Sequence, residues 1–199
     1  LGGMNYGVTL LEMVAAYQMF PNGGIYTEPY SYTRVETADG TVILEHTPIS
    51  NRVISSESAT VLNHLLQGVT TGTYGTGTTA KFSAMPVAGK TGTSDNDNNQ
   101  WFIGVTPYYV GVCWLGYDIP EQIRYYSYAP PIIYKNIMGP IHQNLAVVQF
   151  QDDPDVEVLE YCTITGDLAG DDCETTAIGW DKPSNIPPVC DGDHYVNKK

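Results

Sequence analysis

The run Val87-Ala-Gly-Lys-Thr-Gly-Thr-Ser94 holds the side chains of this sequence that are best suited to chemistry. One short segment carries a lysine, two threonines and two glycines. Such a set can hold an anionic group beside a nucleophile, because it combines positive charge, hydroxyl donors and room for close approach. We therefore take this run as the candidate site.

The run has the pattern of a β-strand, in which Lys90 and Gly92 share one face while Thr91 and Thr93 share the other. Twist or an edge position is needed to bring the lysine and the threonines to one cleft. An edge strand would also offer free N–H groups to a peptide substrate and to a developing oxyanion. An ordinary strand with a solvated lysine is the simpler alternative.

Two glycine-containing segments resemble nucleotide-binding motifs but lack essential residues. The segment 84–91 has Ala84 where a phosphate-binding loop needs glycine, and Pro86 removes a backbone N–H from the cradle. The segment 75–80 mimics a dinucleotide fingerprint, yet no hydrophobic strand precedes it and no helix follows. We predict a mobile loop there and disfavour nucleotide binding.

The bulk composition is that of a globular protein, with 42% hydrophobic and 16% charged residues among 199. The net charge of −13, without a cluster of basic residues, argues against binding to nucleic acids or anionic membranes. No apolar run reaches the roughly 18 residues that span a bilayer. The start at Leu1 lacks the features of a signal peptide, so we expect a piece of a longer protein.

The four cysteines divide into two groups. Cys113 lies in an apolar, strand-like run and is expected to be a buried free thiol. Cys162, Cys173 and Cys190 lie in an acidic, turn-rich region, where a disulfide, free thiols or a metal site with His194 are all open. The spacing lacks the short Cys-x-x-Cys pair that makes a zinc site recognisable.

Three segments have helical patterns: 5–20, 55–68 and 130–148. In the first, Thr9 and Glu12 are spaced for a capping box, and the run from Pro21 to Gly24 ends the helix. Apolar residues at helical spacing are expected to face the core. They are Leu10, Met13, Val14 and Tyr17 in the first helix and Val61, Leu62, Leu65 and Leu66 in the second.

The remaining patterns predict strands. The tripeptide Ala38-Asp39-Gly40 between the runs 31–35 and 41–45 indicates a hairpin. The runs 87–94, 101–105 and 108–117 follow one another closely enough to pair antiparallel. We therefore predict an α+β fold, an antiparallel β-sheet flanked by helices. Residues 1–150 would form a partial domain, and residues 151–199 an irregular, acidic, cysteine-containing extension.

Short motifs spread over about three quarters of the chain occur in a characteristic order. They are Leu1-Gly2-Gly3, Thr9-Leu-Leu-Glu-Met13, Ala16-Tyr17, Phe20-Pro-Asn-Gly-Gly24 with Tyr26, Gly75-Thr-Gly-Thr78 with Ala80, the run 87–94, Trp101-Phe-Ile-Gly-Val-Thr-Pro107, Val110-Gly111 and Trp114-Leu-Gly-Tyr-Asp118. With them, the chain resembles the C-terminal half of the transpeptidase domain of class A penicillin-binding proteins. The tail from Cys162 to Cys173 is similar, more weakly, to tails of such proteins in Gram-positive bacteria.

The resemblance implies a role for each residue of the candidate site. In that family a serine attacks the D-Ala-D-Ala carbonyl of a peptidoglycan stem peptide, and β-lactams acylate the same serine. Lys90 would supply positive charge and assist proton transfer, and the hydroxyls of Thr91 and Thr93 would bind the substrate carboxylate. The Thr93 N–H would be an oxyanion-hole donor, and Gly92 would leave room for the substrate. No cofactor and no catalytic metal are implied.

Two departures from the family pattern limit what this chain can do alone. No serine has a lysine three residues on, so the Ser-x-x-Lys nucleophile is absent. The tripeptide Ser94-Asp95-Asn96 spells the third family motif, but it directly follows Lys-Thr-Gly and reads as a turn. We expect the missing motifs upstream of Leu1, in a membrane-anchored, extracytoplasmic parent protein. The chain alone would then be inactive, with uncovered apolar surface or self-association.

A non-catalytic extracytoplasmic module that binds peptidoglycan or another protein is the alternative from a different functional class. An upstream Ser-x-x-Lys in the gene would favour the enzyme, whereas an unrelated linker would favour the module.

Overall fold

The computed structural model describes residues 7–124 and 129–194. The chain divides into two compact units, Leu1–Gln151 and Asp152–Lys199. The first combines three helices with small antiparallel sheets, and the second contains a two-stranded sheet. The predicted α+β class is confirmed.

Helix α1 spans Leu10–Tyr17 and begins at the predicted cap. The Thr9 side chain accepts a hydrogen bond from the Glu12 amide at 3.2 Å, and the Glu12 carboxylate accepts one from the Thr9 amide at 2.8 Å. The helix is shorter than the predicted range 5–20, because residues 7–9 are not helical and Gln18 caps its end. Residues 5 and 6 lie outside the described residues.

Two small sheets follow α1 in the chain. Strand β1 (Ile25–Thr27) is followed by β2 (Arg34–Glu36) and β3 (Val42–Glu45), which form the predicted hairpin. Gly40 in its turn has a φ of 85°, a conformation that favours glycine. Strand β4 (Ser50–Arg52) returns to pair antiparallel with β1.

Helix α2 spans Ser56–Thr71 and lies beside the next strand, β5 (Ala88–Thr93). The predicted core-facing residues of α2 were wrong in part, since Leu62 and Leu65 are exposed. The buried residues are small or polar: Ala59, Thr60, Asn63 and Thr70. Their size lets the helix approach the strand closely, and the Thr70 hydroxyl donates to the Val87 carbonyl.

The central sheet has the order β5-β6-β7, with β6 at Asn99–Val105 and β7 at Val110–Gly116. Both pairings are antiparallel, as predicted. Lys90 lies opposite Ile103, and Gly92 lies opposite Trp101. The sheet therefore holds the candidate site on its first strand.

Helix α3 (Ala129–His142) packs on β6 and β7. The ring of Tyr134 meets that of Phe102 edge-on, with the ring centroids 5.1 Å apart. A Cβ at Gly104 would come within 2.3 Å of the Tyr134 ring. The prediction that the helix reaches Val148 was wrong, because tight turns follow His142. The core around these rings consists of Ala80, Phe82, Met85, Val87, Phe102, Tyr134 and Met138.

Large apolar side chains are exposed on all three helices of this unit, as expected for uncovered apolar surface. They are Leu10 and Leu11 on α1, Leu62 and Leu65 on α2, and Ile132, Ile133, Ile137 and Ile141 on α3. The prediction that Leu10 faces the core was therefore wrong. Self-association through these exposed side chains stays a prediction.

The second unit is more regular than its composition predicted. Strands β8 (Glu157–Cys162) and β9 (Thr176–Asp181) pair antiparallel along their whole length. All four cysteines of the sequence lie in the described residues and are free, and Cys113 is half-buried. No helix within the described ranges is long and apolar enough to cross a membrane.

Candidate functional site

The candidate site lies on a sheet edge, where the strand pattern required it. Among the described residues β5 pairs with β6 alone, so its other side is free. Lys90 and Thr93 are exposed, whereas Thr91 and Gly92 are half-buried. The Lys-Thr-Gly-Thr run is therefore open to a ligand along its length.

The hydrogen-bond register shows which amides of β5 face that open side. The Ser94 amide donates to the Asn99 carbonyl at 3.0 Å, so Ser94 and Asn99 form a hydrogen-bonded pair. Such pairs alternate along an antiparallel ladder. The N–H and C=O groups of Thr91 and Thr93 therefore point to the free edge and could pair with an extended peptide.

The Lys90 side chain comes to the same edge as these groups. Its ammonium group donates to the Thr91 carbonyl oxygen at 2.7 Å. The positive charge thus lies next to the outward-facing peptide groups, although Lys90 and Thr91 start on opposite faces of the strand. The Lys90 charge therefore reaches the edge along which Thr91 lies.

A neighbouring loop contributes a second hydroxyl group that motif reasoning did not assign. The hydroxyl oxygens of Thr76 and Thr91 are 2.6 Å apart. Thr76 lies in the glycine-rich segment that matches the family motif Gly75-Thr-Gly-Thr78, which was the available signal. The two threonines form a continuous hydroxyl pair beside the strand.

Backbone hydrogen bonds and a 3-10 turn anchor the segment 75–80, for which a mobile loop was predicted. The Gly77 amide donates to the Val69 carbonyl at 3.0 Å, and a 3-10 turn over Thr78–Ala80 ends at the fully buried Ala80. A Cβ at Gly75 would lie 2.4 Å from the Val69 carbonyl oxygen. The glycines are therefore packing residues that bring Thr76 to the strand.

Ser94, Asp95 and Asn96 lie in the tight connection between β5 and β6, as the turn interpretation predicted. The Ser94 hydroxyl oxygen accepts a hydrogen bond from the Asn99 amide at 2.9 Å. Asn96 has a φ of 61°, a left-handed conformation that asparagine tolerates. These residues build the turn.

Burial affects the pKa of two titratable groups behind the sheet. Burial raises the pKa of the Cys113 thiol. Burial also raises the pKa of the Tyr134 hydroxyl, and the electrostatic interaction with nearby Cys113 raises that pKa further. A thiol or phenol with a raised pKa is neither a nucleophile nor a base near neutral pH.

Residues 2–139 match the penicillin-binding protein transpeptidase domain, so the chain belongs to this family. It is 42% identical to penicillin-binding protein 1A of Clostridium acetobutylicum over 142 residues, which are 71% of this chain and 17% of that protein. It is 38% identical to penicillin-binding protein 1A of Clostridium botulinum over 84% of this chain and 20% of that protein. The chain thus spans about a fifth of the length of these relatives.

Solved structures agree on the fold. Penicillin-binding protein 1A of Haemophilus influenzae aligns with a TM-score of 0.75 at 20% identity, over 90% of this chain and 32% of that one. Penicillin-binding protein 3 of Mycobacterium tuberculosis, complexed with aztreonam, aligns with a TM-score of 0.57 at 25% identity, over 73% and 37%. The chain corresponds to part of the transpeptidase fold.

Proposed function

We propose that β5 is the substrate-binding strand of a peptidoglycan D,D-transpeptidase that is acylated by β-lactams. The observation that carries the proposal is the Lys-Thr-Gly-Thr run on an open sheet edge, with the amides of Thr91 and Thr93 directed outward. A stem peptide ending in D-Ala-D-Ala would bind along this edge as an added strand.

The family resemblance suggests a role for each residue, and the contacts of Thr91 and Lys90 support it. Thr91, with Thr76 beside it, and Thr93 bind the terminal carboxylate through their hydroxyls. Lys90 adds positive charge at the same edge and assists proton transfer. The outward Thr93 amide donates to the oxyanion that forms when the carbonyl is attacked, a contact worth roughly 3–4 kcal/mol in other enzymes.

The nucleophile of the reaction is a serine that this sequence does not supply, since Ser-x-x-Lys is absent. That serine adds to the carbonyl, the C–N bond to the last D-alanine breaks, and the amine leaves with a proton. An amine of a second stem then displaces the serine and forms the cross-link. The chain alone therefore neither cross-links nor becomes acylated.

The setting of this activity is extracytoplasmic, with a membrane anchor in the parent protein. The family supports this setting, and the aztreonam complex of the mycobacterial protein supports β-lactams as ligands of the shared fold. A non-catalytic module that binds peptidoglycan or a protein is the second candidate. A Ser-x-x-Lys motif upstream of Leu1 in the gene would favour the enzyme over this module.

Labelling with a fluorescent penicillin tests the proposal in two steps. The chain by itself should take up no covalent label. A chimera in which this chain replaces the matching segment of the Clostridium acetobutylicum relative should be labelled, because the relative would supply the serine. Lys90→Ala should slow labelling of the chimera by about 100-fold or more, as loss of acid–base or electrostatic assistance does elsewhere.

The matched control is Lys81→Ala, which removes another exposed lysine of the same unit, outside the strand. It should leave the labelling rate of the chimera unchanged. Equal labelling of the Lys90→Ala chimera and its parent would refute the assigned role, and a folded chimera without label would favour the non-catalytic module.

A further inference from the structure

Four potential metal ligands converge in the second unit, away from the candidate site in sequence. The sulfur atoms of Cys162, Cys173 and Cys190 and the Nε2 atom of His194 all lie within 4.8 Å of one another. The Nε2 atom is 3.4, 3.7 and 3.4 Å from the three sulfurs in that order. We propose that these residues form a structural zinc site of the Cys3His type.

The three distances between sulfur and Nε2 match those around a tetrahedral zinc ion. With Zn–S bonds of about 2.3 Å and a Zn–N bond of about 2.05 Å, the S···N edge of a tetrahedron is about 3.6 Å. A disulfide needs two sulfurs at about 2.05 Å, whereas all three cysteines are free. A neutral imidazole nitrogen offers one hydrogen or one lone pair, so hydrogen bonding alone does not explain three sulfurs around it.

Main-chain hydrogen bonds hold the ligand-bearing segments together. Cys162 ends strand β8, and its amide donates to the Asp167 carbonyl at 2.8 Å across a turn. Leu168 then bridges Tyr161 on one side and Val189 on the other. The Cys190 amide donates to the Leu168 carbonyl at 2.8 Å. Cys162 and Cys190 are thus fixed by backbone pairing.

The third cysteine is placed by a glycine turn. The Cys173 amide donates to the Gly170 carbonyl at 3.1 Å, and the Gly170 amide donates to the Cys173 sulfur at 3.3 Å. Amide donation of this kind stabilises a thiolate ligand. A Cβ at Gly170 would lie 2.5 Å from the Cys190 carbonyl oxygen, so glycine alone allows this approach.

The burial pattern explains why this unit needs a metal. Among its described residues, 152–194, only Cys162 and Cys190 are buried. A unit of this size has too small an apolar core to offset its chain entropy, and small domains of this kind use disulfides or metals. Three thiolates and one imidazole favour zinc among the common divalent ions.

Metal analysis of the whole 199-residue chain, purified under reducing conditions without chelator, tests the site. We expect one zinc per chain that survives dialysis. Cobalt(II) in its place should give thiolate charge-transfer absorption and the intense visible bands of tetrahedral coordination. Loading the apo chain should release protons, because the thiols must ionise.

Variants separate this site from adventitious binding. Cys173→Ser and Cys190→Ser should weaken zinc binding by more than the roughly 10–100-fold that changes outside the ligand set cost. Cys113→Ser removes the one cysteine outside the cluster and should leave affinity and stoichiometry unchanged.

Hydrogen exchange gives a readout that needs no variant. We compare the chain at a free zinc concentration about 100 times the Kd with the zinc-free chain. Removing zinc should speed exchange of the Leu168 and Cys190 amides by up to about 100-fold, while the Ile103 amide in the central sheet stays protected. Failure of the fully reduced chain to bind zinc would overturn the proposal, whether or not the three tail cysteines form a disulfide once the chain is oxidised. Binding that Cys113→Ser weakens as much as Cys190→Ser would overturn it too.

Discussion

Gly89, next to the candidate site, allows a sharp test of how tightly the central sheet is packed. A Cβ at this position would lie 2.7 Å from the Ile103 carbonyl oxygen and 2.7 Å from a ring carbon of Phe102. The Ile103 backbone is fixed by the pairing of β5 with β6, and the Phe102 ring is fully buried against Tyr134. Neither can move without disturbing the core.

The cost of Gly89→Ala follows from these contacts. Overpacking of a core costs about 1–3 kcal/mol, and the rigid backbone neighbour places this site near 3. Alanine offsets part of this by restricting the unfolded chain, a gain of about 0.4–1 kcal/mol. The net loss of about 2 kcal/mol should lower the melting temperature by roughly 4–8 °C for a chain of this length.

Two glycines provide matched controls for the same chemical change. Gly68 lies inside α2 with nothing within 4 Å of its would-be Cβ, so Gly68→Ala should stabilise by about 0.5–1 kcal/mol. A Cβ at Gly92 would meet only the Trp101 side chain, at 3.3 Å, and Gly92→Ala should have an intermediate effect. Circular dichroism in urea measures all three; a Gly89→Ala variant as stable as wild type would refute the packing argument.

Three further changes test other parts of the first unit. Thr9→Ala should cost about 1 kcal/mol near neutral pH in urea unfolding. Backbone and side-chain hydrogen bonds from Thr9 lower the pKa of Glu12 in the folded protein. The stabilisation is therefore present above the pKa that Glu12 has in the unfolded chain, and the cost of the substitution should shrink as the pH falls through the pKa of Glu12 in the folded protein. A cost that grew in acid would contradict this. The Tyr134 hydroxyl is buried with no hydrogen-bond partner among the described residues, so Tyr134→Phe should raise the free energy of unfolding by about 1 kcal/mol, and a clear loss would reveal a missed partner. In the chimera, Thr93→Pro removes an amide that the β-ladder does not use; penicillin labelling should fall by about 100- to 1,000-fold with little change in melting temperature, and unaltered labelling would remove this amide from the oxyanion hole.

Features that depend on near neighbours in the chain were predictable from the sequence. The capping box of Thr9 and Glu12, the hairpin turn at Gly40 and the turn at Ser94 are each decided within a few residues. The strand order β5-β6-β7 also follows from short connections, which favour antiparallel neighbours. The edge position of Lys90 was a requirement of the motif and is present.

Features that depend on distant packing were missed. The apolar pattern of α2 put Leu62 and Leu65 in the core, but the helix buries Asn63 and Thr70 instead, and the Thr70 hydroxyl donates to the Val87 carbonyl. The contact of Thr76 with Thr91 crosses 15 residues of sequence, and it depends on how the loop folds beneath the end of α2. Periodicity carries no information on either.

The tail shows most clearly why ligand spacing in sequence is a weak guide. A zinc knuckle is recognisable when one turn carries two cysteines, whereas here each cysteine sits on a separate segment and only Cys190 and His194 are near neighbours. The segments that carry Cys162 and Cys190 meet because Leu168 is paired with Tyr161 of β8 on one side and with Val189 on the other. These single bridges are too short to produce a recognisable strand pattern in the sequence. Since the described tail buries only Cys162 and Cys190, the residues that would bind the metal are also those that would form its core. Folding and metal binding in this unit would then be one equilibrium.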